Sequence, residues 1–556
     1  MKNIFRILLT GAAVMFMASC EDFLTIQHYD ILPEDFMFQT EENVQAGLNG
    51  IYDTFYTKQD NPADDDNTWG FKPQVFIANH SAMDCQASGW DAEWQRHAVQ
   101  PDKGSLATAW RMSYRAVDRA NRFLEGLAKA DKSIFASEEN IKMYEAEAKA
   151  IRAFNNFYLT KVFGRVPILK TGDTYTNSPG KPRPESIDEM YKFIEQDFTE
   201  AMKVLNWEPR NGEYGRITKG FCKAYLAEMM MYQERFAEAK THLKDIIDSK
   251  TYALEPCYGN LHGWNQHWTK ESIFEVMYAE LGYMGWGGNN VDMAMWYSCM
   301  CAAPEHGGWG SLCLSYELYR SFEPGDKRKQ YSMVGLGDTN PFTGQTIGVT
   351  QGFDGWFQGS ENMPTVYTLK YWKNDPNSTQ KIFVPHSLTF KRLAGVMLDY
   401  AECCFETNDP TTGWEMIKQI RNRAWGNLEP GNTVEGAFNE MLNTAVVDVP
   451  DAKTFYTNYK AEKGYNADVW KVALLIERRH ELNQEFDLYF SMVRMGIADE
   501  WFKCEYPNKS ETSDYRKNGG SVRYFDYQPY MAVFPIPSNE ILRNPDINQE
   551  DQNEGY

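Results

Sequence analysis

Residues Ala146–Leu169 read AEAKAIRAFNNFYLTKVFGRVPIL, and this stretch decides the fold class. Ala146, Ala150, Ala153, Phe154, Phe157, Tyr158 and Val162 recur at steps of three and four, which gathers them on one face of a helix. The spacing predicts a helix over Glu145–Gly164. Gly164 is a suitable stop, because glycine ends helices in the left-handed region at no Cβ cost, and Pro167 follows it.

Working outward, the same period returns. Pro184-Glu185-Ser186 opens a helix through Asp197 and Leu205. Thr218–Tyr232 and Phe236–Ile247 form a pair, the second with Phe236, Ala239, Leu243, Ile246 and Ile247 on one face. Ala224–Tyr232 followed by Phe236-x-x-Ala239 resembles a tetratricopeptide unit, whose small residues let paired helices approach closely. Such units stack into a right-handed solenoid with a surface left for a partner. Leu393, Val396, Tyr400, Ala401 and Cys404 make a further stripe, and Trp414, Ile417 and Ala424 its neighbour. Leu475, Leu482, Phe486, Tyr489 and Val493 predict one last long helix. The fold expected is mainly α. Cys257–Pro385 breaks the pattern: it is rich in Gly, Trp, Tyr and Asn, with only short strand-like runs such as Ser272–Tyr278 and Thr365–Tyr371. So long an aperiodic stretch is normally functional. Asp60–Pro101, with Trp69, Trp90 and Trp94, is a second such region.

The first twenty residues, MKNIFRILLTGAAVMFMASC, combine Lys2 and Arg6 with a short apolar run, Ile7–Ala18. That is a removable export signal rather than a span. Met17-Ala18-Ser19-Cys20 resembles a lipobox, so Cys20 is the expected lipidation site and residues 1–19 the signal peptide. Removing them leaves 537 residues and takes the formal charge from −21 to −23. So acidic a chain argues against nucleic acid and against direct adsorption to anionic lipid. Mean hydropathy is −0.56, and no other apolar run is long enough to span. The nine remaining cysteines form no framework and are expected as free or partly oxidised thiols. Cys299-x-Cys301 with His306 and Cys313 lacks the second close pair of a structural zinc site.

At this point the chain resembles the SusD/RagB family of outer-membrane lipoproteins of the Bacteroidota. The likeness runs from Asp22-Phe23-Leu24 and Thr40–Tyr52 through Tyr114-Arg115 and Asn121–Leu124 to the block at Ala146–Leu169. RPESIDEMYKFIEQDFTEAM and GRITKGFCKAYLAEMMMYQERFAEAK follow, then Arg392-Leu393-Ala394 to Glu402, Glu477-Arg478-Arg479 with Glu481-Leu482, and Phe534-Pro535-Ile536-Pro537 to Asn544-Pro545. One departure is Glu485–Gly496, where the family usually has Gly, an aromatic and Asp in place of Phe486, Tyr489 and Ser491. The resemblance implies a scaffold of four tetratricopeptide-like units with an irregular, loop-rich, ligand-facing part containing short strands. On this chain the parts would be a helical portion over about 20–256, the irregular insertion over about 257–385 and a helical portion over about 386–556. It also implies a surface protein that binds a nutrient, usually an oligosaccharide, as a lid on a SusC-like TonB-dependent transporter, with peptide taken by some members. No cofactor and no metal are implied.

A sugar ring offers an apolar face for stacking and hydroxyls for Asp, Asn, Gln, Arg or Lys. Trp90 and Trp94 in QASGWDAEWQRH have such company, while Trp264, Trp268, Trp286, Trp296 and Trp309 sit among Asn and Gly, with Trp356 and Trp372 later. Trp90, Trp286 and Trp309 lead; Trp94, Trp264 and Trp356 complete the expected ligand-binding set. Trp110 precedes a helical stripe and belongs to the core. Glu477-Arg478-Arg479-His480-Glu481 is expected as a solvated or salt-bridged helix face, and Asp64-Asp65-Asp66 as a solvated loop. No G-x-S-x-G, H-E-x-x-H or Walker motif occurs, so a binding protein rather than an enzyme is expected.

Overall fold

Short polar caps set where the helices begin. Ser137, Ser186, Thr218 and Asp409 each accept a backbone N–H of the following first turn, and Ser186 with Glu189 completes a capping box. In the computed structural model the chain is described at residues 34–55, 76–87, 92–95, 97–173, 177–178, 180–262, 268–277, 301–303, 312–342, 344–348, 366–371, 387–427, 443, 445–503 and 526–556.

The principal helices are α1 (Glu41–Tyr52), α2 (Gly104–Lys129), α3 (Glu138–Phe163), α4 (Ile187–Val204), α5 (Lys219–Tyr232) and α6 (Phe236–Asp248). After the irregular stretch come α7 (Leu393–Glu406), α8 (Pro410–Ala424), α9 (Ala452–Lys463), α10 (Val469–Glu481), α11 (Leu488–Arg494) and α12 (Ala498–Lys503). From α2 to α12 each packs on its predecessor, and α6 packs on α7 across all the chain between them, so the helical repeat is continuous in space.

The strands are β1 (Cys85–Ala87), β2 (Ser272–Val276), β3 (Leu312–Leu314), β4 (Met333–Val334), β5 (Val366–Thr368) and β6 (Leu388–Arg392). One antiparallel sheet runs β1-β3-β5-β4 and a second pairs β2 with β6. Among the described residues no helix is long and apolar enough to cross a membrane.

The helix predicted over Glu145–Gly164 starts earlier, at Glu138, and ends where expected, with Gly164 at φ 70°. It is covered on every side rather than on one stripe. Arg152 donates from Nε and Nη2 to the two carboxylate oxygens of Asp197 on α4, 2.8 Å each, and from Nη1 to Asn121 on α2 at 2.6 Å. The polar residues between the apolar positions are therefore clamps to both neighbours.

The single long helix predicted through Val493 is corrected: it breaks after Glu481 and restarts at Leu488. Gln484 and Phe486 both take left-handed φ, 64° and 63°, which no helix tolerates. Asn79 Oδ1 accepts the Phe486 N–H at 3.3 Å, which replaces a lost helical bond. Phe486 thus places a bulky side chain at a position whose backbone suits Gly.

Candidate functional site

The charged run at the end of α10 is the centre of the molecule. Glu477, Arg478, Arg479, His480 and Glu481 are all buried, so the solvated half of the expectation fails and the salt-bridged half holds. Arg392, from β6, donates to Glu271 Oε1 and Glu481 Oε1 at 2.6 Å each and to Glu485 Oε2 at 2.7 Å. Arg423 reaches Glu271 Oε2 at 3.0 Å and also Glu481. Arg328 joins Asp326, Glu477 (2.9 Å) and Glu481 (3.1 Å), and Arg421 joins Glu477 (3.0 Å) and Glu323 (2.6 Å). Arg478 turns the other way, to Asp399 of α7 at 2.6 Å and Asp487 at 3.1 Å.

Buried charges survive only when paired and hydrogen-bonded. Burial alone would raise the Glu481 carboxyl, but Arg423, Arg392 and Arg328 outweigh it and pull it down to about 2. Glu477 is lowered in the same way by Arg328 and Arg421 against its burial. Lys370 goes the opposite way: burial lowers it to about 8, against the pull of Glu485.

This knot holds the strands. Arg479 grips Asp84, next to β1, through Nε (2.5 Å) and Nη2 (2.7 Å), and reaches Glu317, just past β3. Lys370, past β5, donates to the Glu481 carbonyl at 2.9 Å and to Glu485 at 2.5 Å, while Tyr371 donates to the Gln484 carbonyl at 2.8 Å. Arg328 lies just before β4, Arg392 ends β6, and Glu271 precedes β2. Among the described residues all six strands are thereby tied to α10 or to the turn after it, β2 indirectly, through the Arg392 and Arg423 that Glu271 shares with Glu481. The turn is what aims Glu485 back at Arg392 and Lys370.

The first sheet has one end of particular interest. Ala87 pairs with Leu312 and Met333 with Thr368, and the Cys313–Tyr367 pairing sets Leu312 beside Thr368, so Ala87, Leu312, Thr368 and Met333 lie along a single end. A cavity of about 60 Å³ lies elsewhere, where Tyr158, Lys161, Glu228, Lys391, Phe486 and Asp487 meet. It has room for a few waters and falls far below the several hundred Å³ typical of ligand pockets.

Of the expected site residues, Trp90, Trp264, Trp286, Trp309 and Trp356 lie outside the described residues, as does Cys20. Trp94 is corrected from ligand surface to core: it is 0 % exposed, its ring 5.4 Å from that of Phe534. Trp110 is core as expected, against Phe163. Seven cysteines among the described residues are buried, and among those residues no group of His, Cys, Asp or Glu is arranged to hold a metal. Sequence reasoning passed over Arg328, Lys370, Arg392, Arg421 and Arg423. A signal was present: five consecutive apolar residues, Val472–Ile476, run straight into the charges, a pattern no half-exposed helix carries.

The geometry has counterparts among known proteins. SusD-like protein P2 of Formosa agariphila is 23% identical over 550 residues, 95% of this chain and 94% of that protein. Among solved structures, surface glycan-binding protein A from Bacteroides fluxus superposes with a TM-score of 0.68 at 19% identity, covering 93% of this chain and 100% of that one. A laminarin-binding SusD-like protein does so with a TM-score of 0.66 at 20% identity, covering 93% and 100%. Residues 22–231 match a family described as starch-binding associating with outer membrane. The profile of the SusD family matches residues 270–556, more than half of the chain, and the protein belongs to that family.

Proposed function

We propose that the protein is a lipoprotein anchored in the outer membrane through Cys20, which captures an oligosaccharide or polysaccharide at the cell surface without cleaving it. It then passes the glycan to a SusC-like TonB-dependent transporter. The observation that carries the binding half is the pairing of Ala87 with Leu312. Trp90 is three residues beyond Ala87 and Trp309 three residues before Leu312. Three residues of trans backbone reach about 10 Å at most. The two tryptophans are thus tethered to neighbouring points on one sheet end, which supports their acting as walls of one sugar site. Trp286, Trp264 and Trp356 are proposed as its further members. Family membership and the glycan-binding relatives support the ligand class, and the chain of ion pairs from α10 to every strand supports a rigid platform for it.

The test uses protein lacking residues 1–20, run through native gels containing laminarin, starch, xylan or mannan. At least one polysaccharide should retard it, with no reducing sugar released. Replacing Trp90, Trp286 and Trp309 together by Ala should remove the retardation. A wild-type protein that ignores every glycan, or a triple variant that binds as before, sinks this assignment.

A further inference from the structure

The loop joining α4 to α5 lifts a tyrosine into water beside a tryptophan. Tyr214 is 61 % exposed, and its ring centroid lies 5.8 Å from that of Trp268 with 33° between the planes. Trp268 is partly buried and has φ 55°, a left-handed conformation in which a bulky side chain is an outlier. The strain is held in place. The Trp268 N–H donates to Glu275 Oε2 at 3.1 Å, the Glu271 N–H to Thr269 Oγ1 at 3.3 Å, and the indole meets Phe274 at 6.5 Å and 86°.

The tyrosine side is fixed as well. Asn211, Gly212 and Gly215 all have positive φ, at 57°, 70° and 94°, so the loop turns sharply under Tyr214. Arg216 closes it, donating to Glu213 at 2.7 Å and to the buried Glu147 at 3.4 Å, with its guanidinium 5.2 Å over the Tyr52 ring. Charged residues neighbour both rings in the chain: Glu213, a half-exposed carboxylate already paired with Arg216, precedes Tyr214, and the exposed Lys270 follows Trp268 by two residues.

A lone tyrosine on a turn is ordinary. Packing explains why Trp268 touches Phe274, but not why a strained indole floors a ring left in solvent. Outliers of this kind persist where the fold over-determines them, commonly at ligand contacts. The size of the patch selects the occupant. Two aromatic rings offer a few hundred Å² at most, far short of the roughly 800 Å² per partner of a protein interface and suited to one sugar unit.

We propose that Tyr214 and Trp268 form a second glycan contact, a platform on which a neutral pyranose unit stacks, with Glu213 and Lys270 meeting its hydroxyls. It rests on the glycan-binding reading above and is built on the β2–β6 side rather than at the Ala87–Leu312 end. A contact of this strength matters for a long chain already held elsewhere, because the second event is then intramolecular.

The experiment compares Tyr214→Ala and Tyr214→Phe with the parent protein. The probes are whichever of laminarin, starch, xylan and mannan the parent binds, and the hexasaccharide of the same linkage. Tyr214→Ala should weaken binding of the polysaccharide about three- to tenfold, leave the hexasaccharide unchanged, and melt with the parent; Tyr214→Phe should bind like the parent. Unchanged polysaccharide affinity in Tyr214→Ala overturns the second contact while the glycan-binding reading stands. An equal loss for the hexasaccharide also overturns it, by placing Tyr214 in the first site. A parent protein that binds none of the four polysaccharides removes the underlying reading, and this inference with it.

Discussion

Glu481→Gln is the sharpest probe of the ion-pair core. The Glu481 carboxylate accepts from Arg392 at 2.6 Å, from Arg328 at 3.1 Å and from Arg423, and none of the four residues is more than 2 % exposed. The amide keeps the volume but removes the charge and turns an NH₂ towards a guanidinium. The three arginines are not orphaned. Arg392 keeps Glu271 and Glu485, Arg423 keeps Glu271, and Arg328 keeps Asp326 and Glu477. The loss therefore falls at or below the lower end of the about 3–5 kcal/mol that breaking a buried pair costs when its partner is left uncompensated. The titration gives a consistent figure: a carboxyl near 2 in the fold and about 4.3 when unfolded is worth about 3 kcal/mol. That is a large part of a typical stability of about 5–15 kcal/mol. In urea, followed by tryptophan fluorescence and far-ultraviolet circular dichroism, the midpoint should fall by about 0.5–1 M with the slope unchanged, since a chain this long has a slope above the roughly 1–3 kcal/mol/M of small proteins. Acid supplies the second arm. Below about pH 4.3 the unfolded Glu481 takes up a proton that the folded one refuses, so the wild type loses this contribution as pH falls towards 2, while the amide has none to lose. The gap between the two midpoints should narrow from about pH 4.3 downwards and close towards pH 2. A midpoint within about 0.3 M of wild type at pH 7, or a gap that stays constant on acidification, refutes the reasoning.

His97 should make stability fall in a higher window. Burial among Tyr489, Phe502 and Tyr527 lowers it to about 4, with the Ser81 carbonyl opposing, so from about pH 6.5 down to 4 only the unfolded chain binds this proton; His97→Gln should flatten the urea midpoint over that range, and an unaltered slope counts against the assignment. At Phe486, φ 63° penalises any Cβ, so Phe486→Gly should be more stable than Phe486→Ala by about 1 kcal/mol in urea titrations, the reverse of the order expected in a helix.

Much of the scaffold was legible because helix signals are local. Ser186, Thr218 and Gly164 mark ends that fall within a residue of the observed ones, and the stripes of α5, α6, α7 and α8 follow from spacing alone. The break after Glu481 was not, because it is made by distant partners: Asn79 on the Phe486 N–H, and Arg392 with Lys370 on Glu485. Trp94 misled for a similar reason. Its polar neighbours Glu93 and Gln95 suggest a wet site, but the ring's surroundings come from Phe534, at the far end of the chain. The arginines of the knot were invisible because sequence shows charge and not burial, and only the apolar run Val472–Ile476 hinted that the helix carrying their partners has no wet side.

The division of labour between apolar and ionic contacts follows from what each can fix. The helical repeat buries stripes of Ala, Leu, Phe and Met, a non-directional contact that holds α2 to α8 together over long faces. The strands are held only partly that way: β1, β3 and β5 have three residues each and β4 has two, and the apolar clusters they build are small, Leu314 with Leu318, Met333 and Val366, and Cys313 with Val334, Ile347 and Tyr367. A guanidinium fork on a carboxylate fixes distance and orientation with a single side chain. Arg479 on Asp84 and Glu317 therefore does for β1 and β3 what a long apolar face does for a helix, and Lys370 does the same for β5. A hydrophobic substitute could match the stability of such a knot, as buried pairs elsewhere allow, but it would not aim short strands. Charge belongs at the centre of this protein because its sheet is made of pieces too small to position themselves.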